Sequence, residues 1–197
     1  AHLDANVYET SVVEGTSLTI AHDMSIGTVK AIWSKRKLDW DDSLDLDGGP
    51  FPIAATQRHT NYSSETFELQ LTGSTDSMSY ILGYYALDDN AYTANPQSFF
   101  GGGSVFAQNY SGAGDATALF GQVTFALGET WDVTVGARST EEDKNGFKEY
   151  VGVISASGSG SFDDTSTTFI LSHDYSENTN LYSVSYTHLT LPTTGVV

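Results

Sequence analysis

Period-two alternation of apolar and polar residues is the pattern that most limits what this chain can fold into. "ALFGQVTFALGETWDVTVGAR" (residues 118–138) holds two such runs around a Gly-Glu-Thr corner. Leu119, Val123, Phe125 and Leu127 share one parity, with Gln122 and Thr124 between them. Trp131, Val133, Val135 and Ala137 then alternate with Asp132, Thr134, Gly136 and Arg138. Successive side chains of a strand point to opposite faces, so each run predicts a strand with one apolar and one polar face.

The same period recurs along the chain. "SLTIAHDM" sets Leu18 and Ile20 on one parity, and "TVKAIWSKRKLDW" follows with Val29, Ala31 and Trp33. "ETFELQLTG" is the cleanest run, with Phe67, Leu69 and Leu71 opposed to Thr66, Glu68, Gln70 and Thr72. "MSYILGYYALDD" is apolar on both parities and reads as a strand from its aromatics. "TSTTFILSHDY" and "NLYSVSY" bring the total to about eight strands, and no amphipathic helix stands out.

The connections alternate as regularly as the strands. Short corners fall near residues 25–27, 74–77, 128–130 and 177–179. Long polar stretches fall at residues 41–60, 89–115 and 140–163 and read as loops. A soluble sandwich does not segregate its loop lengths in this way. A meander that spans a membrane does, with tight turns on one side and long loops on the other. Residues 117–127 already supply the ~9–11 residues a tilted membrane strand needs. The apolar parity therefore faces lipid, and Gln122, Thr124, Asp132, Thr134 and Arg138 face a lumen. Trp131 beside a corner, and Tyr84 and Tyr85 toward a loop, suit the lipid–water boundary.

Composition narrows the partners. Eight Lys+Arg against 25 Asp+Glu leave a net charge of −17, which excludes the cationic footprint of a nucleic-acid binder and electrostatic docking on anionic lipid. With no cysteine there is neither a disulfide framework nor a thiolate metal site. No stretch approaches the ~20 apolar residues of a transmembrane helix, and "AHLDANVYET" is not a signal peptide.

In order and spacing, "ELQLTG" (68–73), "YILGYYALDD" (80–89), "ALFGQVTFAL" (118–127), "VTVGARSTEEDK" (133–144) and "NLYSVS" (180–185) resemble the barrel of TonB-dependent outer-membrane receptors. The resemblance runs from about Ser17 to Ser183. It implies an outer-membrane protein of a Gram-negative bacterium that imports a scarce bulky ligand such as an iron chelate, cobalamin or glycan. The implied partners are outer-membrane lipid, the transported ligand, and an inner-membrane energy-coupling complex reached through a plug region that this sequence lacks. No enzymatic role and no cofactor are implied. Relatives often carry a larger apolar residue at the place of Ala137 and an aromatic at that of Ser139. The expected fold is all-β, an antiparallel up-and-down meander of about eight long strands forming a curved open slice of a larger transmembrane barrel. A smaller porin-like barrel and a soluble β-rich binding module stay open as alternatives.

Residues 1–183 are thus read as partial receptor barrel. Residues 184–197, "VSYTHLTLPTTGVV", resemble a translated transposase adapter from sequencing libraries and read as a non-native tail, with the boundary near residues 183–186. His188 and Pro192 then carry no function.

Candidate chemistry is sparse. "DWDDSLDLDGG" (39–49) aligns Gly48 with the sixth position of an EF-hand loop and Ser43, Asp45 and Asp47 with ligand positions. The twelfth position, normally Glu, is then Ala54, so the stretch reads as a solvated acidic loop, with a weak surface cation site as the alternative. His2, His22, His59, His173 and His188 have no metal-ligand spacing. No G-x-S-x-G elbow is present, and "GGGS" lacks the Lys and helix of a phosphate loop. Tyr92, Phe99, Phe100 and Tyr110 lie in a long loop and suit stacking on a ligand, although packing against neighbouring segments is the plainer reading. No catalytic, cofactor, metal or ligand residue is assigned.

Overall fold

Extended backbone dominates, as the alternation demands. The computed structural model describes residues 5–151 and 154–187, and these form one antiparallel sheet in chain order. The strands are β1 (Tyr8–Met24), β2 (Gly27–Asp45), β3 (Ala54–Ser74), β4 (Met78–Phe99), β5 (Ser104–Leu127), β6 (Trp131–Tyr150), β7 (Ile154–Ser176) and β8 (Thr179–Tyr186). Each pairs antiparallel with the next; the register shifts only at a bulge between Asp174 and Ser176, and the β3–β4 ladder skips Gln57 and Arg58. The sheet is open, since β1 and β8 are not neighbours.

All four short corners stand where the sequence places them. Two need glycine: Gly27 has φ 134° and Gly128 φ 81°. A Cβ on Gly27 would also stand 2.1 Å from the Thr72 carbonyl oxygen, so the first corner approaches β3 too closely for any other residue.

The three long loops are a correction. Residues 41–60 contain only an eight-residue connection, 46–53, and residues 89–115 shrink to a turn at 100–103. The third stretch is paired up to Tyr150 opposite Ile154. β1 to β7 accordingly run 17 to 24 residues, well beyond a membrane's thickness. The physical reason is that apolar alternation reports which environment a face meets, whereas pairing reports backbone hydrogen bonds. Once a hairpin rises into water both faces turn polar, and the ladder continues without a hydrophobic signal.

In the middle of the sheet one parity is more covered, whereas β1 and β8 are exposed throughout. In β3 the even-numbered residues from Arg58 to Gln70 are half-buried, while Gln57, His59, Asn61, Glu65, Phe67 and Leu69 are exposed. Six of the seven buried residues (Asp42, Thr56, Thr93, Ala116, Ala118 and Thr134) lie on the parity that the register connects to these even residues. A sheet with no second layer shows such asymmetry when it is curved, the covered side being concave. Among the described residues there is no apolar core of the usual kind; the buried ones are small or polar and all but Ser43 sit in the hollow.

Candidate functional site

The convex face carries the chemistry of a membrane surface. Val29, Ala31 and Trp33 on β2 stand beside Leu71, Leu69 and Phe67 on β3, and these beside Leu82, Tyr84 and Ala86 on β4. The apolar zone continues through Leu119, Val123 and Phe125 on β5 and Val133 and Val135 on β6 to Phe169 and Leu171 on β7. Half of these side chains are exposed, Leu119 to 66%, and the rest are half-buried. Among the described residues no second layer covers them, so the sandwich alternative has no partner sheet.

The zone is not parallel to the hydrogen-bond rows. From Ala31, at the middle of the β2 run, the register leads through Leu69, Tyr84, Leu119 and Ser139 to Thr165 on β7. The apolar residues of β7, Phe169 and Leu171, stand four and six residues further along, and the drift accumulates over five strand steps. With ~3.3 Å per residue and ~4.8 Å between strands, that slope corresponds to strands tilted by roughly 30–40° to the normal of a level belt. A level hydrocarbon slab crossed by barrel strands tilted at ~35–45° requires this stagger.

Aromatics mark both borders. Trp131, at the short-turn end, stacks on His173 with ring centroids 4.1 Å apart, and Tyr175 meets His173 edge-on. At the other border the Trp33 indole N–H donates to Glu65 at 2.8 Å. Tyr84 faces outward as expected, but Tyr85 does not belong to a girdle: it faces the hollow, one residue out of phase. Beyond the belt the convex face becomes acidic, with Glu65, Asp88, Asp115 and Asp143 directly opposite one another on successive strands.

The concave face is polar, as read for Gln122, Thr124, Asp132, Thr134 and Arg138. It also holds six of the eight cations (Lys30, Arg36, Arg58, Arg138, Lys144 and Lys148), leaving Lys35 and Lys37 outside. Hydroxyl pairs bridge neighbouring strands here: Ser34–Thr66 at 2.6 Å, Thr60–Thr93 at 2.9 Å and Thr124–Thr134 at 2.8 Å. Arg138 lies over the rings of Tyr85 and Phe120, each 5.7 Å away, and its Nε donates to Thr140 at 3.1 Å. Phe120 in turn covers Gly83, where a Cβ would approach the ring to 2.2 Å. Above the belt, Arg58 makes a two-point ion pair with Asp42, through Nε at 2.9 Å and through Nη2, and lies 4.7 Å over the Trp40 ring. The hydrogen bond that Arg58 donates to Asp42 raises the Arg58 pKa above its ordinary value.

The acidic stretch does not assemble an EF-hand. Asp45 Oδ1 accepts the N–H groups of Asp47 and Gly48, and Asp47 Oδ1 accepts that of Ala54 at 2.9 Å. Ser43 is buried within β2. The carboxylates organise the turn rather than converge on a cation, and no group of three acidic or histidine side chains among the described residues could hold a metal. His59 bonds Asp41 at 2.6 Å on the convex side. His2, His188 and Pro192 lie outside the described residues. Of the four loop aromatics, Phe99 packs edge-on against Phe106, Tyr110 faces the hollow, Tyr92 faces outward and Phe100 tops a turn. The ion pair, the hydroxyl pairs and the Arg138 platform carried no sequence signal beyond parity, because each joins residues on different strands.

No protein-family model matches the sequence. No curated protein matches it either. Solved structures do. The ferric yersiniabactin uptake receptor FyuA from Yersinia pestis superposes with a TM-score of 0.74 at 10% identity over 89% of this chain and 28% of the receptor. The ferric citrate transporter FecA gives 0.68 at 13% identity, over 90% of this chain and 27% of the transporter. The ferric-catecholate import receptor Fiu from E. coli K12 gives 0.65 at 12%, over 89% and 35% respectively. The chain thus spans about a third or less of each. An open eight-strand meander, with its belt outside and its polar face inside, has the fold of a partial β-barrel of the TonB-dependent receptor type.

Proposed function

We propose that this chain is a segment of an outer-membrane, TonB-dependent receptor that actively imports a scarce bulky ligand such as an iron chelate, cobalamin or glycan. The observation that carries the reading is the tilted apolar belt on the convex face of an open sheet whose concave face is polar and cation-bearing. A slice of wall of this kind belongs to a barrel wide enough to hold a plug, and the segment's part is to pass the membrane, line the lumen and raise hairpins above it. The partners are outer-membrane lipid, the ligand, and an inner-membrane energy-coupling complex acting through the plug. The role is transport, with no reaction catalysed and no nucleic acid bound. The three receptors described above are named for iron-chelate uptake or transport, which favours that class among the ligands.

The test is uptake by the full-length protein encoded at the source locus, expressed in a receptor-deficient Gram-negative host. A panel of radiolabelled ferric chelates should accumulate, and accumulation should stop when the proton-motive force is collapsed. Accumulation that persists without it would indicate a porin and overturn the proposal. We also propose that residues 184–197 are adapter-derived, on the strength of their sequence; long-read sequencing across the locus should replace "THLTLPTTGVV" with further strand.

A further inference from the structure

Three rings meet at the short-turn border of the belt, on the convex face. The Trp131 indole and the His173 imidazole stack with an interplanar angle of 15° and centroids 4.1 Å apart, and Tyr175 stands edge-on to His173 at 6.4 Å and 80°. The backbone sets two of the three. His173 Nδ1 lies 3.1 Å from the Thr130 carbonyl oxygen, which can only accept, so Nδ1 carries the proton and Nε2 of the neutral ring keeps a lone pair. The bulge between Asp174 and Ser176 leaves Tyr175 without a partner in the β7–β8 register, and bulges re-aim the side chains they carry. Trp131 is 42% exposed and Tyr175 72%. Further strands of a wider barrel would extend the sheet sideways from β1 and β8, leaving this face to lipid.

Charge selects among lipids. The stretches at and beside the four short corners, residues 21–28, 72–80, 124–133 and 172–181, hold six acidic residues (Asp23, Asp76, Glu129, Asp132, Asp174 and Glu177), two histidines and no Lys or Arg. Glu129 and Glu177 belong to the two corners beside the ring cluster. Lys30, the basic residue nearest to a short corner along the chain, faces the hollow. The two outward cations, Lys35 and Lys37, stand toward the long hairpins. An anionic headgroup therefore finds no counter-charge at this border. A headgroup that ends in a primary ammonium finds aromatic rings, a lone pair at His173 Nε2 and carboxylates in the adjoining corners. We propose that Trp131, His173 and Tyr175 form a seat for the ammonium of an ethanolamine phospholipid in the leaflet on the short-turn side. The seat rests on the membrane reading of the convex face and is independent of what is transported.

The test uses the full-length receptor in mixed micelles with equal amounts of dimyristoyl phosphatidylethanolamine, phosphatidylcholine and phosphatidylglycerol, and native mass spectrometry counts the lipids retained. Wild type should retain them in that order, because choline keeps the positive charge but has no N–H to give to Nε2. His173→Phe keeps a ring against Trp131 and removes the acceptor; it should lower the excess of ethanolamine over choline lipid about two- to fivefold. Tyr175→Ala, at an exposed position, should lower the excess of both amine lipids over phosphatidylglycerol about twofold. Both variants should keep the wild-type thermal midpoint, and reading each as a difference from wild type cancels lipid held elsewhere on the barrel. A wild-type preference for phosphatidylglycerol, ratios that neither variant moves, or losses that come only with a lowered midpoint would each overturn the assignment. Failure of the membrane reading looks different: no lipid of any kind would be retained, and the seat would fall with it.

Discussion

Single residues hold this wall where they fill space between strands or neutralise a covered charge. Tyr80 lies across Gly73, and its hydroxyl donates to the Ile26 carbonyl two strands away. A Cβ at position 73 would stand 2.4 Å from the ring and 2.5 Å from that backbone carbonyl, so the ring cannot simply swing aside. Gly73→Ala should destabilise the full-length barrel by about 1–3 kcal/mol in urea titrations on lipid vesicles. Arg58 and Asp42 form an asymmetric pair, with side-chain exposures of 31% and 3%. Asp42→Ala frees an arginine that still has the Trp40 face and can reach water. Arg58→Ala strands a carboxylate that is almost fully covered. Each should cost on the order of 1–3 kcal/mol, with Arg58→Ala the larger, and paired denaturation curves give the order directly.

At the scale of an element, the proposed reading makes each long strand a composite of a membrane portion and an aqueous portion. Leu69 is central in the belt of β3, Gln70 faces the hollow beside it, and Asn61 points outward beyond the belt. Leu69→Arg should destabilise folding into bilayers by about 2–4 kcal/mol, Asn61→Arg by about 0–1 kcal/mol. Gln70→Arg should stay within about 0.5 kcal/mol, because a lumenal arginine keeps its hydration. An equal penalty at all three positions would contradict the belt. The membrane portion was legible from sequence, since Phe67, Leu69 and Leu71 alternate strictly. The aqueous portion was not: "NAYTANPQSFF" has no period, although Asn90 to Phe99 pair residue for residue with Ser104 to Ala113. Hydrogen-bond pairing between main chains leaves no trace in side-chain order.

For the molecule as a whole, the decisive feature is an open sheet with two unpaired flanks. Among the described residues, β8 pairs with β7 only from Thr168 to Ser176. The isolated 197-residue chain should therefore form heterogeneous oligomers in detergent by edge-to-edge pairing, whereas the full-length protein should be monodisperse. Light scattering coupled to gel filtration distinguishes the two, and a monodisperse isolated chain would mean that its edges close on each other.

Parity of side chains, and with it the all-β meander, the four tight corners, the lipid-facing runs and the lumen-facing Arg138, followed from the sequence alone, because the environment of a strand is written in its two-residue period. The height of the hairpins, the stagger of the belt, the gathering of six cations in the hollow and the stacking of Trp131 on His173 were decided only by tertiary structure. Each depends on which residue stands opposite which across a ladder, and register is a relation between strands that no single strand encodes.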